Sequence, residues 1–318
     1  MQSKTVVSED KRSTKRFIIP TLVVVVIVVV IAGIAMYRER IMPFRTTVLI
    51  VNEASIDMRY FLKRVAISGE PPIQVLQTLT EEEILKQTVT KPPYNIKVSE
   101  HQVERFSRDM FRGENETIGE REFKEWYRQQ LNEIRFSDDE YRAVLKTMLL
   151  RVEMSEYLAD RISPVAEQVF VNAIPVTDFS VGIEVKQKYD SGEDFSALAF
   201  EYSVDPILKK SEGIVGWCPK GILDRVVDSV AFELEISEAS DPVYINNQSS
   251  VVIMISDKAD ARQIDEQLLS ILKDRALDEW LLEEKSKHRV EFHGFTNGYD
   301  SETDAWVNWQ LMRMKRKR

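Results

Sequence analysis

The chain has 318 residues, 43% of them apolar, and five tryptophans, which is material for two ordinary domains with buried cores. Its 52 acidic against 43 basic side chains leave no broad basic surface and speak against nucleic acid as a partner. The single cysteine, Cys218, excludes an intramolecular disulfide and a cysteine-built zinc site. No HExxH, Gly-x-Ser-x-Gly or Walker loop occurs, so no metal and no other cofactor is expected.

Residues 1–16 form a short tail carrying Lys4, Lys11, Arg12, Lys15 and Arg16. Phe17 to Tyr37 is an uncharged apolar run, and about 20 such residues at about 1.5 Å each span a bilayer core. The run predicts a single transmembrane helix with Pro20 in its first turn, and the basic tail places the N-terminus in the cytoplasm and the bulk of the chain outside it. A cleaved signal peptide is the competing reading, since Gly33-Ile34-Ala35 is a small-x-small site, but the run exceeds the ordinary length of a signal core. Beyond the run, Val48 to Asn52 reads as a short strand, followed by a helix around Met58, Phe61 and Leu62. Thr80 with Glu83, Ser99 with Gln102, and Ser137 with Glu140 have capping-box spacing and predict three helix starts. Val103, Phe106 and Met110 recur at helical spacing, as do Phe123, Trp126, Tyr127, Leu131 and Ile134, and then Tyr141, Val144, Leu145, Met148 and Val152. Pro92-Pro93 breaks the chain between helices, and Gly113 to Gly119 reads as a polar turn. Near the C-terminus Ile264, Leu268, Leu272, Ala276 and Trp280 form another helical stripe. Met312 to Arg318 is basic, and is either a contact for anionic headgroups or a solvated tail.

Three blocks between Gly192 and Val243 carry the most information. They are Asp194, Phe195, Leu198, Ala199, Tyr202 and Ser203; then Gly213, Gly216 and Trp217; then Ala231, Phe232, Leu234, Ser240, Pro242 and Val243. In this order they resemble the parvulin (PpiC-like) family of peptidyl-prolyl isomerases. A strand with a Val-Asn turn and several amphipathic helices ahead of such a block is similar to the SurA and PrsA class of secreted or membrane-held foldases. The resemblance implies an α+β protein with a transmembrane helix (17–37), a discontinuous helical chaperone-like domain (46–163), and a parvulin domain (164–258) with a small antiparallel sheet surrounded by helices. Residues 261–318 would supply a helix returning to the helical domain and a basic tail.

It also implies a set of site residues. Leu223, Val227 and Phe232 fall at positions that shape the proline pocket, although Phe232 in Ala-Phe-x-Leu equally fits plain helix packing. Asp205 falls at the family's Asp-or-Cys position at the pocket edge, or it caps a turn before Pro206. The family's first strand corresponds to Val169–Val176 and its last to Val251–Ile255. The two usual histidine positions are then occupied by Ala173 and Val251, while Pro175 replaces an apolar strand residue. His101, His288 and His293 all lie outside the block. Gly213 and Gly216 read as turn glycines, because no Lys-Ser/Thr pair follows them. The partners implied are unfolded or proline-containing exported polypeptides and the lipid bilayer. The activity implied is peptidyl-prolyl isomerisation, chain binding, or both; a catalytically degenerate parvulin acting as chaperone or membrane-complex adaptor is the alternative.

Overall fold

The computed structural model describes residues 13–112, 119–246 and 249–316, with side chains from residue 27 onward except Asn246. The start of the basic tail, and the expected polar turn apart from Gly119, lie outside the described residues. Helix α1 (Ser13–Arg40) carries the apolar run. It starts well ahead of Pro20, so Pro20 lies in the helix interior and not in a first turn: the polar segment before the run is itself helical. From Ile27 to Tyr37 the large apolar side chains are exposed, Val29 at 64% and Ile31 at 61%. Among the described residues no helix is long and apolar enough to cross a membrane; residues 17–26 of the expected span lie outside those whose side chains are described.

A short α2 (Met42–Arg45) leads into a hairpin of β1 (Thr47–Val51) and β2 (Ala54–Asp57). Asn52 turns the hairpin with φ 56°, and its side chain accepts from Arg289 N at 3.0 Å and donates to Gln87 Oε1 at 2.7 Å. Asp57 caps α3 (Met58–Ser68) by accepting from Tyr60 N at 2.8 Å. The next helix, α4 (Pro72–Thr88), begins at Pro71-Pro72, where a missing N–H leaves no bond unmade. The cap expected at Thr80 is therefore overturned. Thr80 lies fully buried inside α4 with its hydroxyl donating to Leu76 O at 2.8 Å, a back-bond that the capping spacing alone does not distinguish from a helix start.

The other two capping boxes form. Ser99 N donates to Gln102 Oε1 at 2.8 Å ahead of α5 (Glu100–Arg112). After α6 (Glu120–Ile134), Ser137 N donates to Glu140 Oε2 at 2.7 Å ahead of α7 (Asp138–Ala159). There follow β3 (Val165–Val176), α8 (Phe179–Asp190), α9 (Phe195–Tyr202), α10 (Pro206–Lys210), β4 (Ile214–Pro219), α11 (Arg225–Glu233), β5 (Val243–Asn246) and β6 (Ser249–Gln263). The chain continues through α12 (Glu266–Lys285), β7 (Val290–Phe292) and α13 (Ser301–Lys315).

Two compact units result, Met1–Leu150 with Leu281–Arg318, and Arg151–Trp280. In the first, Val48, Leu49, Val51, Met58, Phe61, Leu76, Ile84 and Val307 form one fully buried core. Arg64 and Glu82 pair beside it with N–O distances of 2.6 and 2.7 Å. The stretch after α12 is more than the helix and tail expected of it. Val290–Phe292 joins the hairpin as an outer strand, order β2-β1-β7, because Val290 and Phe292 pack on the core that β1 already lines. The stripe from Ile264 to Trp280 falls in the second unit, where Leu272 approaches Gly221 and Arg275 donates to Ile222 O at 3.0 Å.

The second unit is built on an antiparallel sheet of order β4-β3-β6-β5. One face packs Ile174, Val176 and Val252 against Val185 of α8 and Phe195, Leu198 and Ala199 of α9. The other packs Val169, Val171, Ala173, Val251, Ile253 and Ile255 against Val227 and Ala231 of α11. Pro175 is tolerated in β3 because β4 pairs only as far as Asn172. Beyond that point no strand needs the missing N–H, and Pro175 O accepts from Val204 N at 2.9 Å instead.

Candidate functional site

The α11 face of the sheet is where the expected pocket residues meet. Val227 is buried at 7%, and Leu223 and Phe232 are partly exposed at the border of the same apolar cluster. Its floor contains both positions at which the parvulin resemblance places histidines. Ala173 and Val251 are 7% and 4% exposed, on the paired strands β3 and β6, with Ala173 opposite Ile253 and Val251 opposite Pro175. Apolar residues there leave no buried polar atom in need of a partner. The chain's three histidines belong to the other unit, where His288 Nδ1 lies 2.9 Å from Glu284 O.

Asp205 is held by its own helix. Its Oδ1 accepts from Ile207 N at 2.7 Å and Leu208 N at 3.0 Å, the N-cap of α10, so the geometry seen is that of the capping alternative. It is connected to the site through Leu208, which packs against the α11-face cluster. The loop after α10 is fixed by Gly213, at φ 83°, whose carbonyl accepts from Ala173 N at 2.7 Å. A Cβ at Gly213 would meet Ala199 Cβ at 3.0 Å and Ala173 O at 3.2 Å, so the turn requires glycine. Gly216 is not a turn glycine as expected. It lies within β4 opposite Val171, beside a bulge where the register shifts, and φ 104° there suits a residue without Cβ.

Two features were not read from the sequence. Asp228 is a carboxylate 6% exposed on α11, accepting from Gly221 N at 2.9 Å and so fixing the turn that carries Leu223. Burial raises its pKa above the ordinary carboxylate value, opposed by the backbone N–H groups of Gly221 and Leu223. Burial, with Asp228's charge adding to it, also pushes the Cys218 thiol up to about 11, which makes Cys218 an inert core residue. The signal available was an acidic residue one turn after the cap residue Asp224, which is too common to single out. The second feature is a groove of about 870 Å³ lined by α11 and residues 238–244, among them Val226, Val230, Leu234, Pro242 and Tyr244. Tyr244 stacks on Phe179 with ring centroids 4.7 Å apart.

Comparison with known proteins bears on this unit. Residues 183–257 match the family described as Rotamase: PPIC-type PPIASE domain. The foldase protein PrsA of Geobacillus kaustophilus (strain HTA426) is 35% identical over 114 residues, 36% of this chain and 39% of that one. The foldase protein PrsA of Caldanaerobacter subterraneus subsp. tengcongensis is 39% identical over 70 residues, 22% and 23% of the two chains. A crystal structure of a peptidylprolyl isomerase (PrsA) from Bacillus cereus aligns over 85% of this chain and 92% of its own, with 20% identity and a TM-score of 0.40. The matched stretch thus spans about two fifths of the first of these relatives. The chain contains a PPIC-type peptidyl-prolyl isomerase domain and is, over that part, homologous to the PrsA foldases.

Proposed function

We propose that the chain is a membrane-anchored extracytoplasmic foldase that binds proline-containing segments of unfolded exported polypeptides and isomerises their X-Pro bonds. The observation that carries this is the gathering of Leu223, Val227 and Phe232 over an apolar floor at the border of the α11-face cluster. Twisting an X-Pro amide needs no covalent step, only an apolar slot, exclusion of water and preference for the twisted form over either planar one. The α11 face supplies the first two. The exposed apolar residues from Ile27 to Tyr37 support residues 17–37 as the anchor, with 1–16 on the cytoplasmic side. In this reading 46–163 with 261–318 holds the unfolded chain and 164–258 acts on its prolines.

Ala173 and Val251 favour a second reading, binding without strong catalysis. An apolar floor offers the twisted amide no hydrogen bonds, so any acceleration rests on shape and desolvation. Exchange spectroscopy on X-Pro peptides with the full chain in nanodiscs separates the two. Acceleration that Phe232→Ala abolishes supports the isomerase. Unchanged exchange, with suppressed aggregation of an unfolded reporter, sinks it and leaves the chaperone. Neither effect would reject both.

A further inference from the structure

Helix α13 has a polarity that its own core does not explain. Its inward side is buried at Thr303, Val307 and Gln310. On the opposite side Trp309, Met312, Arg313 and Arg316 follow at i, i+3, i+4 and i+7, one face of the helix, and all four are exposed. Trp309 is 49% exposed and Met312 61%, both large apolar groups left in solvent. The Arg313 guanidinium lies over the Trp309 ring at 4.6 Å, so the cation and the aromatic plate present together. Among the described residues none of Arg313, Lys315 and Arg316 is ion-paired.

The same helix is fixed beside the end of α1. Trp306 meets Phe44 of α2 edge to face at 5.2 Å, and α2 begins just after α1 ends, with Ile41 N donating to Tyr37 O at 3.0 Å. From Trp306 to Trp309 is about 4.5 Å along the axis and to Arg316 about 15 Å. The ends of α1 and α2 add Arg38, Arg40 and Arg45 against Glu39. An aromatic ring, a flexible apolar side chain and unpaired cations, next to a helix that enters a bilayer, match the headgroup region in both polarity and sign.

We propose that the Trp309–Met312–Arg313–Arg316 face of α13 lies on anionic phospholipid of the bilayer that α1 enters. The proposal rests on the reading of α1 as an anchor. The test uses the full chain in liposomes of phosphatidylcholine, alone or with phosphatidylglycerol, containing lipids brominated near the headgroup. Flotation after a high-salt wash reports the anchor, and tryptophan quenching reports the face. Wild type should be quenched about twofold more with phosphatidylglycerol present than without. Trp309→Phe should lose that increment, and a triple Arg313→Gln, Lys315→Gln, Arg316→Gln variant with an unchanged melting curve should fall to the phosphatidylcholine level. A chain that does not float overturns the anchor and the proposal with it. A chain that floats, but whose quenching is the same with and without phosphatidylglycerol or the same in Trp309→Phe, overturns the α13 face alone.

Discussion

The two faces of the β4-β3-β6-β5 sheet are made by the same strands and differ in how they are closed. On the α8–α9 face Ile174, Val176, Val185, Leu198, Ala199 and Val252 are all fully buried, and Val181, Tyr189, Tyr202 and Met254 are partly covered at its edge. On the α11 face Val227, Leu234 and Val243 keep 7–8% exposure, and Leu208, Ile222, Leu223, Val230 and Phe232 are only partly covered. Alternation along β3 and β6 fills both faces with comparable apolar residues, so the strands alone do not distinguish them. The covering helices do. Two helices close one face, and Gly182 of α8 lies so near Pro242 that a Cβ there would sit 2.7 Å from its ring. A single helix held by an Asp228-braced turn covers the other, with Leu223 and Phe232 partly exposed at its border. If the α11 face binds a proline segment, as proposed, the α8–α9 face has a structural role alone.

Leu198→Ala should give the largest effect, about 2–5 kcal/mol in urea unfolding, because the cavity forms where nothing can relax into it. Leu223→Ala should cost well under half of that, and equal losses would erase the contrast between the faces. Ala173→His sharpens the floor's role. A lone imidazole there would be buried without a partner and should cost about 1–3 kcal/mol; a stable variant would mean that the floor is open to water. Asp205→Ala should cost about 1 kcal/mol through the lost cap, whereas Asp205→Asn keeps the acceptor and should cost only a few tenths. X-Pro exchange unchanged in Asp205→Asn fits a capping residue; a slowed rate at full stability would give its charge a chemical role.

The smallest effect is a pH dependence. Burial raises the pKa of Asp228, so the folded chain holds that proton more tightly than the unfolded one. Stability is then lost as pH rises from the ordinary carboxylate range through the raised value. Asp228→Asn should remove that loss, and melting curves of the two proteins should shift in the variant's favour as pH rises above about 4. An unchanged difference across that range would mean that Asp228 is solvated.

Much of this was legible in the sequence. Capping boxes at Ser99 and Ser137 form because both side chains of each pair are local. The blocks around Phe195, Trp217 and Phe232 correspond to α9, β4 and α11 of the second unit, and Leu223, Val227 and Phe232 lie in one apolar cluster there. Features set by distant contacts were not legible. The strand Val290–Phe292 exists because β1 offers an edge over an apolar core far away in sequence. Thr80 has a cap's spacing but is buried in mid-helix, and no local rule reports burial. Asp228 is ordinary in sequence and unusual only once the 220–223 turn folds back onto it.

The most direct measurement is methyl NMR of the full chain in nanodiscs, titrated with an X-Pro peptide. Shifts should concentrate at Leu223, Val227 and Val230, with Val185 and Leu198 unmoved. Shifts centred on the α8–α9 face, or none on either, would contradict the assignment of the α11 face as the proline-binding surface.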